Sequence, residues 1–296
     1  MRRRNILKSI LKTALIFAVI AVAGCVNFPS AGQAEVSTGM IDVKSSDISV
    51  NVKLTPSEVL SGRQTTLDLA VKNIRDNTNI NNISVYFYDR CGFMGGEDRF
   101  EINELKPNRT YHNKTKWIAP STNFERVCNI KLKVVYNANT YLKQDVAVLN
   151  DAEYTARQSA GTLSSIPLQS SGLAASLSIS FRLSENQPLR QTAPGEKVYA
   201  YINIQNAGNG YIEKLKEGDV NITYPSNLKG ECSGFVMKGK NAINNRTFSF
   251  YQNKAPQITC SFDAIPSEPI DIKTFVITVN YKYQLDNSLN VKIATR

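Results

Sequence analysis

From Ile48 onward the chain alternates apolar and polar residues with a period of two. Ile48, Val50, Val52 and Leu54 are separated by Ser49, Asn51 and Lys53, and Cys128, Ile130, Leu132 and Val134 by Asn129, Lys131 and Lys133. Leu177, Ile179, Phe181 and Leu183 repeat the habit against Ser178, Ser180 and Arg182, and Phe275, Ile277, Val279 and Tyr281 carry it close to the end. Alternation over seven residues predicts strands with one buried and one wet face. Helical spacing is hard to find after residue 26, so the expected class is all-β.

The two patterned regions also match each other. Gly62-Arg63-Gln64-Thr65-Thr66-Leu67-Asp68-Leu69-Ala70-Val71-Lys72-Asn73 aligns without gaps on Gly195-Glu196-Lys197-Val198-Tyr199-Ala200-Tyr201-Ile202-Asn203-Ile204-Gln205-Asn206. Glycine, buried positions and terminal asparagine fall in register. Each region opens with an alternating strand, then this unit, a short strand (83–88; 220–224), a cysteine, a loop-rich middle, a second cysteine and closing strand material. About seven short strands in each of two regions of 105 and 122 residues predict two antiparallel sandwiches in tandem. The divisions expected are a signal segment over 1–25, a flexible stalk over 26–45, sandwiches over 46–150 and 175–296, and a Ser-rich linker over 151–174.

Ala193-Pro194-Gly195-Glu196-Lys197, followed by Ile202-Asn203-Ile204-Gln205-Asn206-Ala207-Gly208-Asn209-Gly210, resembles the Pro-Gly-Glu, strand, Asn-x-Gly signature of Ig-like domains in prokaryotic, including archaeal, surface proteins. The adhesion-related and S-layer-associated families carry it. The first copy departs from the signature, with Ser61 in place of the proline and Ile74-Arg75-Asp76-Asn77 in place of the Ala-Gly-Asn run. The resemblance covers about 15 residues of each region and implies two tandem Ig-like β-sandwiches used for adhesion, spacing or envelope assembly. Fold alone does not settle function.

The N-terminus changes the reading of charge and location. Arg2, Arg3, Arg4, Lys8 and Lys12 precede the apolar run Ala14 to Ala21, and Val22-Ala23-Gly24-Cys25 closes the segment. This is the layout of an export signal. Its ending resembles the lipobox of prokaryotic lipoproteins, which implies that Cys25 receives diacylglycerol and becomes the first mature residue. The competing reading is an uncleaved membrane anchor, but the apolar run from Thr13 to Val26 is short of the roughly 20 residues that cross a hydrocarbon core. Arg3-Arg4-Asn5-Ile6-Leu7-Lys8 also looks like a twin-arginine export motif. Either anchor places the remainder on the extracytoplasmic face of the cell membrane. The chain is +10 overall, but residues 26–296 hold 30 basic and 25 acidic side chains. That excess of five suits acidic glycans or anionic headgroups and is too small to argue for nucleic acid.

With Cys25 assigned to lipid, Cys91, Cys128, Cys232 and Cys260 remain, an even number in an oxidising compartment and without Cys-x-x-Cys spacing. Of the three possible pairings, Cys91 with Cys128 and Cys232 with Cys260 is preferred, because each pair lies inside one expected sandwich. Buried unpaired thiols are the alternative.

No catalytic constellation emerges, and no cofactor or metal is expected. His112 is the only histidine, and Tyr111-His112-Asn113-Lys114 suggests a solvent-facing residue. Glu97 and Asp98 are the most conspicuous carboxylates, but adjacent strand residues point to opposite faces, and Met94-Gly95-Gly96-Glu97 reads as a tight turn. The run from Lys106 to Trp117 is the candidate binding element: Arg109, Tyr111, Lys114, Lys116 and Trp117 could stack on sugar rings and meet their carboxylates or phosphates. The competing account is an edge strand using lysines against association, with Trp117 anchoring a core. Sequons at Asn82, Asn108, Asn113, Asn221 and Asn245 could carry N-linked glycan. Exposed strand tyrosines such as Tyr199 and Tyr201 fit either an interface or ordinary strand composition. The expected protein is thus a non-enzymatic surface module whose partner is the membrane through its anchor and another surface protein or an envelope glycan.

Overall fold

The computed structural model describes residues 39–225 and 228–295; the expected signal, Cys25 and most of the expected stalk lie outside them. The first half contains β1 (Met40–Lys44), β2 (Ile48–Thr55), β3 (Glu58–Leu60), β4 (Gln64–Asn73), β5 (Ile80–Asp89), β6 (Arg99–Leu105), β7 (Thr110–Ile118) and the long β8 (Arg126–Leu149). A helix, α1 (Asp151–Ala160), and a 3-10 turn (Leu163–Ser165) follow. The second half contains β9 (Ser170–Gly172), β10 (Leu177–Leu183), β11 (Leu189–Arg190), β12 (Val198–Asn206), β13 (Lys214–Leu215), β14 (Val220–Thr223) and β15 (Gly230–Cys232). It continues through β16 (Phe235–Lys238), β17 (Asn241–Asn244), β18 (Phe248–Ser249) and β19 (Ile258–Phe262) to the second long strand, β20 (Ile270–Ala294).

The class is predominantly β with antiparallel sheets, as the alternation predicts. Ile48, Val50, Val52 and Leu54 are fully buried, as are Cys128, Ile130, Leu132 and Val134. One outer sheet has the order β1-β2-β4-β7, the other β10-β12-β19-β15. Both face a ten-stranded sheet whose main path is β16-β17-β14-β20-β8-β5-β6. Aromatic contacts join the layers. Phe87 of β5 meets Trp117 of β7 edge-on at 5.2 Å, and Phe275 of β20 lies 5.4 Å from Phe181 of β10 and 5.3 Å from Phe262 of β19.

The internal repeat is visible in this topology. β2–β4 in the first half matches β10–β12 in the second, and β5–β8 matches β14–β20. Short β3 runs parallel to the end of β20, and short β11 runs parallel to the end of β8. The aligned asparagines do the same work: the Oδ1 of Asn73 accepts from Arg75 N at 3.0 Å, and that of Asn206 from Gly208 N at 3.1 Å. Each amide also donates onward to a backbone carbonyl, Thr78 or Gly210. A buried side-chain amide thereby satisfies the backbone where each strand turns.

The halves are not two separate beads. β8 and β20 pair antiparallel from Arg126 opposite Ile293 to Leu149 opposite Ile270, passing through Asn139 opposite Asn280. The final stretch of β20, with Leu285, Leu289, Val291 and Ile293 buried, therefore completes the first half's inner sheet. Gly39 N donates to Asn290 O at 2.8 Å, which ties the start of the described chain to its end. The expected boundaries at 150 and 175 follow the repeat in the sequence, whereas the sheet runs across them.

Two segments expected to be irregular are ordered. Met40–Lys44, in the expected stalk, forms β1 against β2 and buries Val43. The expected linker carries α1. This helix buries no residue, so it leaves no apolar stripe to detect; its signals are its ends. Asn150 Oδ1 accepts from Glu153 N at 2.8 Å, and Gly161 closes the helix in the left-handed conformation.

Candidate functional site

Residues 110–117 of the basic-aromatic run lie on β7, the outer edge of its sheet, and Arg109 lies in the turn before it. Arg109, Lys114 and Lys116 are exposed, Tyr111 is half-buried, and Lys114 Nζ pairs with Asp68 Oδ1 at 3.0 Å. Trp117 is fully buried, with Nε1 donating to Glu97 O at 3.1 Å. The proposed sugar grip therefore does not assemble here. Strand alternation sends Trp117 to the face opposite Lys114 and Lys116, a constraint already present in the spacing. His112 is exposed, and Gly95 and Gly96 both adopt positive φ, which makes the turn before Glu97. A Cβ on Gly96 would come within 2.6 Å of Lys116 O and of Trp117 Cδ1, so the turn has to be glycine to cover the tryptophan.

The cysteines form two bridges, Cys91–Cys128 and Cys232–Cys260. Their places differ between the halves. Cys91 follows β5 and joins β8, whereas Cys232 of β15 and Cys260 of β19 are directly opposite on neighbouring strands. Of the sequon asparagines, Asn82, Asn108 and Asn245 are exposed, while Asn113 and Asn221 are half-buried. Asn82 sits at a bulge in β5, with positive φ. Tyr199 is exposed, and Tyr201 lies half-buried beneath the Arg182 guanidinium at 5.1 Å.

The centre of the shared sheet holds what periodicity alone does not reveal. On its inner side, the fully buried Asp47 accepts through Oδ2 from the hydroxyls of Tyr136 and Tyr281, each at 3.0 Å, and through Oδ1 from Ser176 N at 3.3 Å. Arg75, also buried, places Nε 3.5 Å from Asp47 Oδ1 and donates from Nη2 to Asn139 O. Tyr136 also meets Ser45 Oγ at 2.8 Å. Burial, reinforced by the Asp47 carboxylate, holds the hydroxyls of Tyr136 and Tyr281 above the ordinary tyrosine range. These residues come from both halves and form a fixed polar joint between them.

Directly outside this joint lies a groove of about 360 Å³, lined by Asn79, Asn81, Asn82, Asn137, Asn139 and Asn280 together with Lys214, Lys216, Lys282 and Asp219. A second depression of similar volume shares the three lysines and adds Tyr211, Glu213 and Gln284. Burial pushes the Asp219 carboxyl above its ordinary value, against the opposing effects of the Lys216 backbone N–H, 2.6 Å away, and of its positive charge. No group of three or more metal-ligating side chains occurs among the described residues. No helix among them is long and apolar enough to cross a membrane.

No protein-family profile and no curated protein matches the chain. Among solved structures, it is similar to a protein of unknown function from Porphyromonas gingivalis at 12% identity and a TM-score of 0.21, covering 84% of this chain and 99% of that one. It is also similar to red sea bream transglutaminase at 9% identity and a TM-score of 0.20, covering 83% of this chain and 31% of that one. Likeness of this degree carries no functional argument.

Proposed function

We propose that the chain is a membrane-anchored extracytoplasmic protein that serves envelope structure, adhesion or assembly with another surface component and has no catalytic activity. The observation that carries this reading is the cysteine pairing: four cysteines form two bridges, which leaves Cys25 for the lipobox. Disulfides of this kind belong to oxidising compartments, and the lipobox layout supplies both export and attachment. Two acyl chains hold a protein at a membrane far better than one.

The two halves are read as Ig-like sandwiches. In support, each packs a four-stranded antiparallel outer sheet against the shared sheet, and strands of both layers alternate inward apolar and outward polar residues. The merged β8–β20 pair suits a spacer or presentation platform, because bending one half against the other would break ladder hydrogen bonds. Glycans at the exposed Asn108 and Asn245 fit the same surface location.

Non-reducing peptide mass spectrometry on protein taken from its native membrane tests the proposal. A mature start at lipid-modified Cys25 with both disulfides formed is the expected result. An intact Met1 with four reduced cysteines would overturn it.

A further inference from the structure

The chemistry sought on β7 is assembled elsewhere, by residues distant in sequence. Tyr211 is 54% exposed and lines a depression with Lys216, Lys282 and Gln284 on the outer face of β20. The depression continues through the shared lysines into the amide-lined groove over the β8–β20 crossing. There Asn139 stands opposite Asn280, and Asn137 opposite Lys282. We propose that this continuous groove is a binding site for an acidic oligosaccharide, with sugar carboxylates as the recognised charge.

Three features carry the assignment. An exposed tyrosine ring beside polar groups offers an apolar face to sugar C–H bonds and a hydroxyl to their oxygens. The side-chain amides of Asn137, Asn139 and Asn280 line the groove and have no hydrogen-bond partner among the described residues, the Asn139 contact to Arg75 being through its backbone carbonyl, so each keeps both donors and an acceptor for ligand hydroxyls. Lys216 and Lys282 have no carboxylate within ion-pair distance among the described residues, and Lys214 has only its neighbour Glu213, at 3.5 Å. The groove's other carboxylate, Asp219, is engaged by the Lys216 backbone N–H. Because β8 and β20 are locked together by the buried joint beneath, the amides are presented on a rigid floor, which lowers the ordering cost of binding.

The proposal rests on the surface reading only for the source of the ligand; the groove chemistry stands without it. The test is calorimetric titration of the full chain, in detergent, with a galacturonic-acid hexamer, using cellohexaose as the neutral control. The expected result is sub-millimolar binding of the acidic hexamer that weakens with salt. Lys216→Gln combined with Lys282→Gln, and separately Tyr211→Ala, should weaken it at least tenfold, whereas Lys114→Gln with Lys116→Gln on β7 should leave it unchanged. All of these positions are exposed, and circular dichroism of each variant checks that it folds. No binding, equal binding of cellohexaose, or unchanged affinity in the Lys216/Lys282 variant would overturn the proposal. So would tighter, equally lysine-dependent binding to phosphatidylglycerol vesicles, which would assign the groove to a lipid surface. Failure here leaves the mass-spectrometric test of location untouched, so the two readings fail separately.

Discussion

Removing the Asp47 carboxylate should loosen the joint between the halves more than any other single polar change. In Asp47→Ala, Arg75 keeps its hydrogen bond to Asn139 O but loses the carboxylate facing its Nε, and both partners are almost wholly buried. An uncompensated buried charge costs about 3–5 kcal/mol. The Tyr281 hydroxyl loses its acceptor as well, whereas Tyr136 retains Ser45; a buried hydroxyl left unmatched costs about 1–3 kcal/mol. Some relaxation will overlap these effects, so a loss of about 4 kcal/mol is expected, a large part of the 5–15 kcal/mol typical of a folded protein. Urea unfolding followed by tyrosine fluorescence and circular dichroism measures it. Asp47→Ala with Arg75→Met should recover at least 1.5 kcal/mol of that loss, because the orphaned charge is gone. A loss below 1 kcal/mol for Asp47→Ala, or no recovery in the double variant, would refute the idea that this ion pair and its tyrosines hold the joint.

Trp117→Ala should cost about 3–5 kcal/mol in urea unfolding as a large buried side chain is deleted, and a retained native midpoint would contradict its place in the core. Reducing or replacing either disulfide should cost roughly 4 kcal/mol, given closed loops of 37 and 28 residues; Cys91→Ser and Cys232→Ser, compared by thermal unfolding, test this. Burial of the Asp271 carboxyl tends to raise its pKa but is outweighed by hydrogen bonds from Lys273 Nζ at 2.9 Å and from Ser267, so the pKa lies below the ordinary value. Its contribution to stability is therefore present above the unfolded carboxylate pKa of about 3.9 and is lost as pH falls through the lower folded value. Urea midpoints measured from pH 5 to pH 2 should fall less steeply for Asp271→Asn than for the native chain, and parallel curves would refute the assignment.

What the sequence by itself determined is local. Period two identified the inward faces of β2, β8, β10 and β20, because side-chain direction in a strand follows from the pleat alone. The twelve-residue repeat placed Asn73 and Asn206 at equivalent turns, where both now make the same side-chain-to-backbone bonds. The preferred cysteine pairing followed from placing each pair inside one expected sandwich and matches the two bridges. Alternation also contained the inward placement of Trp117, since adjacent residues on β7 cannot share a face.

Only the tertiary structure decided how the halves join. An alternating pattern specifies which side of a strand is apolar but not which strand lies beside it, so nothing local announces that β20 pairs with β8 across more than a hundred intervening residues. The joint of Asp47, Arg75, Tyr136 and Tyr281 and the groove of Tyr211, Lys282 and Asn139 both arise from that pairing. Their members are far apart in sequence and form no motif. Tyr136 and Tyr281, like Asn139 and Lys282, become neighbours because two long strands, each with a wet outer face and a buried inner one, satisfy their backbone hydrogen bonds against each other; β2–β4 pairing brings Arg75 to Asp47, and Tyr211 joins through its bridge to Gln284.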